Sequence, residues 1–336
     1  MRSHNYEFAP FEILTLLGSI VLPVGLFAAA MQLGAATNVL PAPRPALDID
    51  RTMLLHQAEA SRCKHAAGIL LIGDSSCLMD VSAPQLGAAL PGGHRALNLG
   101  TLSYLDLSSY ASILRQYLAV NPGGIRTIIL LMHPEALRRA APEEHYLEIL
   151  EHYYAGTDYC EPSASRIECW MGGAIFKGRL QSRGVPIPLE GAYAQKYGFT
   201  SDLWDYLSRH DGSAIDPRKF DRSTARGNAE YQLSPRLERG SQTFRGVVPE
   251  SVQIFVGITP VPESFVEANY RQRYPEMLNK WSAWLRAARA LADLPPTMPD
   301  NLFASTTHLN EAGQKLYTEA LSRSLIVSTK ESPTEL

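Results

Sequence analysis

Four short apolar runs constrain the fold of this chain more than any other feature of its sequence. They are Gly68–Ile72, Arg95–Leu99, Thr127–Met132 and Val252–Ile258. Runs of this length and apolarity predict strands that are covered on both faces, as in a parallel sheet. Because helical patterns lie between them, the sequence predicts an α/β fold, a three-layer α/β/α sandwich with a mostly parallel sheet and right-handed crossovers.

The helical patterns are of different strengths. The clearest has Tyr110, Ile113, Leu114 and Tyr117 at helical spacing and ends at Asn121, just before the third strand. Three further helices are predicted over Asp48–His65, Glu263–Ala292 and Asn310–Leu325. In the last of these, Asn310 is a plausible N-cap.

The N-terminus carries a long segment without charge. No charged residue occurs from Ile13 to Pro43, and Ile13–Met31 is almost continuously apolar, about the ~20 residues that span a bilayer. The segment predicts an N-terminal transmembrane helix, with the rest of the chain on the extracytoplasmic side. A cleaved signal peptide with a site near Ala28–Ala30 is the alternative, and a buried core helix is a third. Glu7 and Glu12 fit a signal sequence poorly, which favours an uncleaved anchor.

These patterns divide the chain into an anchor (residues 1–40), a linker with a lead-in helix (41–66) and a main domain (67–330). Within the domain, residues 141–245 lack long apolar runs and are rich in aromatic and polar residues. We interpret them as a large insertion between the third and fourth strands. An insertion at the C-terminal edge of a parallel sheet is a lid or substrate wall, or else a structural elaboration or partner-binding surface.

The composition and the cysteines indicate which partners and which cellular compartment to expect for this chain. Apolar residues make up 45% of the chain and the formal net charge is −3, which is typical of a globular protein without a nucleic-acid footprint. Cys160 and Cys169 flank a short loop, so they are a disulfide candidate in an oxidising compartment. No metal-ligand spacing such as Cys-x-x-Cys occurs, and we expect neither a metal nor an organic cofactor.

Two distant segments carry the residues of chemical interest. Ser75 follows the first apolar run in Gly73-Asp74-Ser75, and His308 precedes the last helix in His-Leu-Asn-Glu-Ala-Gly. A serine at the mouth of a parallel sheet, met by a late histidine as base, is the arrangement that acyl transfer requires. The alternatives are ordinary: Ser75 as a helix N-cap and His308 as a solvated or capping side chain.

These motifs resemble the SGNH/GDSL hydrolase superfamily, more closely its membrane-anchored envelope branch, which includes D-alanyl-lipoteichoic acid and alginate O-acetylation proteins. The resemblance covers about Gly68–Arg139 and Val252–Leu325. It implies that Ser75 is the nucleophile and His308 the general base. The N–H groups of Ser75 and Gly100 would form the oxyanion hole, while an ordinary turn glycine is the alternative for Gly100. Asp74 is expected to hold the turn rather than to react.

The chain departs from that pattern at two positions. The superfamily usually has an aspartate three residues before the histidine, where this chain has Ser305, a supporting residue at most. A Ser–His dyad, or an acid from elsewhere such as Asp300, is therefore expected. The second departure is Met132-His133-Pro134-Glu135 in place of Gly-x-Asn-Asp, which makes His133 either an oxyanion donor or a turn residue.

The resemblance implies a serine acyltransferase or esterase that acts on O-acyl groups, chiefly O-acetyl, of a cell-envelope or secreted polysaccharide. It also implies a multi-pass membrane acyltransferase of the MBOAT type as a partner, and a place in the bacterial cytoplasmic membrane with most of the chain in the periplasm. A non-catalytic scaffold with the same fold, which binds glycan or tethers such a complex, is the competing interpretation.

Overall fold

The computed structural model describes residues 9–40, 49–157, 159–160, 200–223, 231–267 and 269–331, and also residues 166, 167, 170, 174, 178 and 181. The chain divides into two compact units. The first consists of Met1–Ile49 and Asp158–Asp202, and the second of Asp50–Thr157 and Leu203–Leu336.

The first unit contains the N-terminal helix α1, Pro10–Ala36. Among the described residues it is the one helix long and apolar enough to cross a membrane, and its apolar side chains are exposed along its length. A signal sequence near the N-terminus has the same properties. The predicted apolar helix is therefore confirmed, as an anchor or a signal sequence.

The second unit is an α/β fold around a five-stranded sheet, in which every strand pairs in parallel with its neighbours. Its strands are β1 Ile69–Gly73, β2 Ala96–Asn98, β3 Thr127–Met132, β4 Gln253–Ile258 and β6 Arg289–Ala290, in the order β2-β1-β3-β4-β6. A second pair joins β5 Val261–Pro262 to β7 Thr297–Met298. The predicted fold class is thus confirmed.

Helices cover both faces of the sheet. They are α2 Ile49–Ala60, α3 Ser75–Asp80, α4 Ala83–Ala89, α5 Leu107–Val120, α6 Pro134–Arg139, α7 Glu144–Ala155, α8 Thr200–Arg209, α9 Arg236–Val247, α10 Tyr270–Leu285 and α11 Glu311–Glu331. Alternate strand residues point to opposite faces, so Leu71 and Ile129 pack with α4 and α11 in one buried cluster. On the other side α5 contacts β1, α10 contacts β4, and α9 packs between α5 and α10.

The predicted helix over Glu263–Ala292 is wrong in its extent. The segment starts with a single 3₁₀ turn, Glu263–Phe265, and α10 itself covers Tyr270–Leu285. The residue after the helix, Arg286, is its C-cap and adopts a left-handed conformation with φ of 49°. The chain then adds β6 to the edge of the sheet, beside Phe255 and Val256. Strand β6 has only two residues, which is too few to show the alternation typical of a strand. The sequence pattern therefore does not distinguish it from the end of the helix.

The strand order places a change of direction between β1 and β3. From β1 the chain crosses to β2 on one side, and it then returns to place β3 and β4 on the other. In open parallel sheets, the crevice beyond the carboxyl ends of such a pair of strands is the usual position of a ligand site. Ser75 follows β1 and His133 follows β3, so both lie at this point.

Gly73 makes the end of β1 possible. Its φ is +157°, and a Cβ at this position would lie 1.7 Å from the carbonyl oxygen of Leu131 on β3. A side chain would therefore push the two central strands apart where the chain turns towards Ser75.

We expect Gly73→Ala to lower the free energy of unfolding by about 4 kcal/mol or more, because the methyl group collides with backbone in a strained conformation. Urea unfolding of the full chain in detergent measures this. Gly246→Ala is the control, since Gly246 lies exposed in α9 with open space around it; there the substitution should stabilise by about 0.5–1 kcal/mol. Equal unfolding of Gly73→Ala and wild type would contradict the account.

Candidate active site

The turn that presents Ser75 is held by the buried carboxylate of Asp74. Asp74 is the N-cap of α3, and its Oδ1 accepts hydrogen bonds from the Ser76 N–H at 3.1 Å and the Ser76 hydroxyl at 2.6 Å. Its Oδ2 accepts from the His133 N–H at 2.9 Å, which ties the end of β1 to the end of β3. Burial raises the pKa of Asp74, and the bonds from Ser76 and His133 oppose that rise. Both oxygens are used by structural bonds.

Ser75 and His308 lie together, as the sequence predicts. The Ser75 Oγ is 2.9 Å from Nε2 of His308, although the two residues are 233 positions apart. Ser75 is half-buried, while His308 is 8% exposed. Ser75 therefore stays partly exposed to solvent beside a buried histidine.

Two contacts fix the backbone around His308. Ser305 Oγ accepts from the His308 N–H at 3.0 Å and from the Thr307 N–H at 3.2 Å. The next residue, Leu309, donates its N–H to Asp80 Oδ1 at 2.8 Å. Ser305 thus closes the turn before the histidine, at the position where the resemblance leads one to expect an acid.

The acid that contacts His308 is Asp216, a residue that the sequence motifs do not predict. Its Oδ2 lies 2.9 Å from His308 Nδ1, and the residue is 3% exposed. Asp300, named as a nearby acid, instead accepts from the Ser264 N–H at 3.0 Å. The three side chains Ser75, His308 and Asp216 form one hydrogen-bonded chain.

Arg218 keeps Asp216 charged. Its Nε lies 2.9 Å from Oδ1 and its Nη2 2.6 Å from Oδ2, and its own N–H donates to Oδ1 at 3.0 Å. Burial alone would raise the pKa of Asp216, but the hydrogen bonds from His308 and Arg218 outweigh it and hold the pKa well below its ordinary value. An ionised acceptor at Nδ1 favours the tautomer that carries its proton there, which leaves Nε2 to accept from Ser75.

The backbone N–H of Ser75 is the available donor at the start of α3. The N–H groups of Ser76 and Cys77 donate to the Asp74 side chain, and that of Leu78 donates to the Asp74 carbonyl. The first N–H groups of a helix have no partner within the helix itself. Ser75 is therefore the one of these four residues whose N–H is not taken up by Asp74.

Gly100 is packed against this turn. A Cβ at Gly100 would lie 2.6 Å from the Leu78 nitrogen, so the close approach requires glycine. Its N–H, however, donates to Asn98 Oδ1 at 2.8 Å. Gly100 thus offers no free N–H in this arrangement, and its expected place in an oxyanion hole stays a prediction that requires this bond to open.

His133 is buried at the end of β3 as a neutral ring. Its Nδ1 accepts from the Glu135 N–H at 3.1 Å, which makes it the N-cap of α6 and leaves the ring proton on Nε2. Burial, aided by the charge of His308, lowers the pKa of His133 to about 3. The turn role of His133 is present in the structure, and its role as an oxyanion donor stays a prediction.

The cysteines fall into two classes. Cys160 is disulfide-bonded, and its expected partner Cys169 lies outside the described residues. Cys63 is an exposed free thiol and Cys77 a buried one. Cys77 lies in the first turn of α3, and burial raises the pKa of its thiol.

No protein-family model matches the chain, and no curated protein matches it.

Asp80 is a buried acid next to the site, and its pKa departs from the ordinary value of an aspartate. It is fully buried, one oxygen accepts from the Leu309 N–H, and burial, followed by the charges of Asp74 and Asp216, raises its pKa well above the ordinary value. Above about pH 4 the unfolded chain loses a proton that the folded protein retains. The contribution of Asp80 to stability therefore falls as the pH rises from about 4 towards its folded-state pKa.

We expect Asp80→Asn to remove this dependence, because the amide keeps an oxygen for the Leu309 N–H and does not titrate. The free energy of unfolding of the variant, minus that of wild type, should increase between pH 4 and 7 by up to about 1.4 kcal/mol per pH unit. Urea unfolding across this range measures the difference. A difference that stays constant with pH would contradict the assignment.

Proposed function

We propose that this protein is a serine acyltransferase or esterase of the SGNH type. The observation that carries the proposal is the chain of hydrogen bonds from Ser75 through His308 to the ionised Asp216, with 2.9 Å at each step. A hydroxyl, an imidazole and a carboxylate in this order are the parts that nucleophilic acyl transfer uses on several unrelated folds.

In the proposed reaction, Ser75 Oγ attacks the carbonyl carbon of an acyl ester while His308 Nε2 takes the hydroxyl proton. The negative oxygen that forms is held by the Ser75 N–H. The tetrahedral intermediate then collapses, and the bond from its carbon to the alkoxide oxygen breaks. His308 gives the proton to that oxygen, so the alcohol leaves while the acyl group stays on Ser75 Oγ. A second hydroxyl group then attacks the acyl-serine through the same steps in reverse, takes the acyl group and frees Ser75. It belongs to water in an esterase and to an acceptor in a transferase.

The placement of the parts supports membership of the SGNH superfamily. Ser75 follows the first strand β1, and His308 precedes the last helix of a parallel α/β fold, as in the pattern to which the motifs are similar. The acid differs, because here it comes from residue 216 and not from the position three residues before the histidine. We infer that this site is a variant of the superfamily's site in which a different segment supplies the acid. It is not a site without an acid.

The substrate and location follow from the same resemblance. We propose O-acyl groups, chiefly O-acetyl, on a cell-envelope or secreted polysaccharide, with an MBOAT-type membrane acyltransferase as partner. Helix α1 supports an anchor in the cytoplasmic membrane with a single pass. The disulfide at Cys160 supports an extracytoplasmic domain, because such bonds persist mainly in oxidising compartments.

Labelling by a fluorophosphonate tests whether Ser75 is a nucleophile. We expect the full chain in detergent to be labelled, because the reagent reacts with serines that a neighbouring histidine activates. Ser75→Ala should abolish labelling, as read by intact mass. The matched control is Ser108→Ala, which removes an exposed serine of α5 and should be labelled like wild type.

Absence of labelling in folded wild type would favour the competing function, a non-catalytic scaffold that binds glycan or tethers a complex. Labelling that persists in Ser75→Ala would place the reactive serine elsewhere. Unfolding curves of each variant establish that the comparison is made on folded protein.

Asp216→Asn tests the third member of the chain. We expect kcat for p-nitrophenyl acetate to fall roughly 10³- to 10⁴-fold, because the amide no longer selects the correct tautomer of His308 or stabilises its charged form. Asp211→Asn is the control in the same loop, since Asp211 pairs with Arg95 at the surface, and it should retain near-normal turnover. A fall of less than tenfold in Asp216→Asn would remove Asp216 from the mechanism.

A further inference from the structure

The buried side chain of Gln314, which follows His308 in the chain, hydrogen-bonds to the segments that carry Ser75 and Asp216. Gln314 Nε2 donates to the carbonyl oxygen of Met79 at 2.6 Å and to that of Ala214 at 2.7 Å. Gln314 itself is 6% exposed. Its two amide hydrogens are thus both used, and both acceptors are backbone groups.

The three bonded positions are each close in sequence to one member of the hydrogen-bonded chain. Met79 lies four residues after Ser75 in α3, Ala214 lies two residues before Asp216, and Gln314 lies six residues after His308 in α11. A planar amide holds its two acceptors at a set angle and distance. Gln314 therefore fixes the separation between the segment of Asp216 and the other two segments.

Other bonds hold the same loop from its remaining sides. The Ala214 N–H donates to the Leu78 carbonyl at 3.0 Å, and Ser213 Oγ accepts from the Ala83 N–H at 2.9 Å. Gln57 Nε2 donates to the carbonyls of Gly212 at 3.0 Å and Gly100 at 2.8 Å. These contacts tie the loop to α3, α4 and the end of β2, but none of them includes the helix that follows His308.

We propose that Gln314 is the positioning residue that sets Asp216 against His308 and Ser75, an inference that rests on the proposed function. The acid comes from a segment 92 positions from the histidine, so its placement depends on tertiary contacts and not on a local turn. Reaction rates are sensitive to misplacement of about 1 Å. Loss of the Gln314 bonds should therefore affect turnover more than binding.

Gln314→Met is the test variant, because methionine has nearly the shape of glutamine and no amide. We expect kcat for p-nitrophenyl acetate to fall roughly 10- to 100-fold, with KM within about twofold of wild type. The matched control is Asn121→Leu. Asn121 also donates from one amide to two carbonyls, those of Cys63 at 2.9 Å and Tyr117 at 3.2 Å, but it lies before β3 begins. We expect its kcat to stay within about twofold of wild type.

A double-mutant cycle separates positioning from a general loss of stability. If Gln314 acts through Asp216, Gln314→Met should reduce kcat by less than about twofold in the Asp216→Ala background. A reduction in that background equal to the one in wild type would overturn the proposal. So would equal losses of kcat in Gln314→Met and Asn121→Leu.

A spectroscopic measurement keeps the inference testable if the protein proves inactive. In histidine-labelled full chain in detergent, the His308 Nδ1 proton should resonate far downfield, and Asp216→Ala should abolish that signal. We expect Gln314→Met to weaken or shift it and Asn121→Leu to leave it unchanged. An unchanged signal in Gln314→Met would refute the positioning role, whereas failure of fluorophosphonate labelling alone would refute the enzyme and not this placement.

Discussion

The hydrogen bond between His308 Nδ1 and the buried carboxylate of Asp216 is the interaction on which the rest of the site depends. A carboxylate with 3% exposure is costly to bury unless its oxygens are paired. Here Arg218 and His308 supply the partners, and the guanidinium of Arg218 still reaches solvent. Because Asp216 stays ionised, the ring of His308 is oriented with Nε2 towards the Ser75 hydroxyl, as the proposed base would have to be.

The sheet provides the frame in which these groups meet. Its order changes direction between β1 and β3, so the turns after both strands lie where open parallel sheets usually hold their ligand site. Asp74 joins those turns through Ser76 and His133, while Gly73 and Gly100 allow backbone to approach backbone where a Cβ would collide. Much of the polar network around the site therefore has a structural purpose: it holds the turn that carries Ser75 in one conformation.

The sequence predicts the local elements well and the long-range contacts unevenly. Strand β3 has the predicted bounds, β4 starts one residue later than predicted, and β1 and β2 each differ by one residue at both ends, because apolar runs report burial directly. Ser75 and His308 are recognisable from their motifs. Asp216 is not, because it is one of 34 acidic residues and lies in a loop whose placement depends on Gln57, Gln314 and other distant contacts. The two-residue strand β6 is missed because its pairing exists only in the folded sheet.

The central claim is that Ser75 forms a covalent acyl intermediate. Incubating the full chain with an activated acetyl ester, quenching with acid and mapping the peptides by mass spectrometry tests this most directly. The account predicts one acetyl group, attached to Ser75. Protein that remains folded and carries no acetyl group, or carries it on a different residue, would contradict the account.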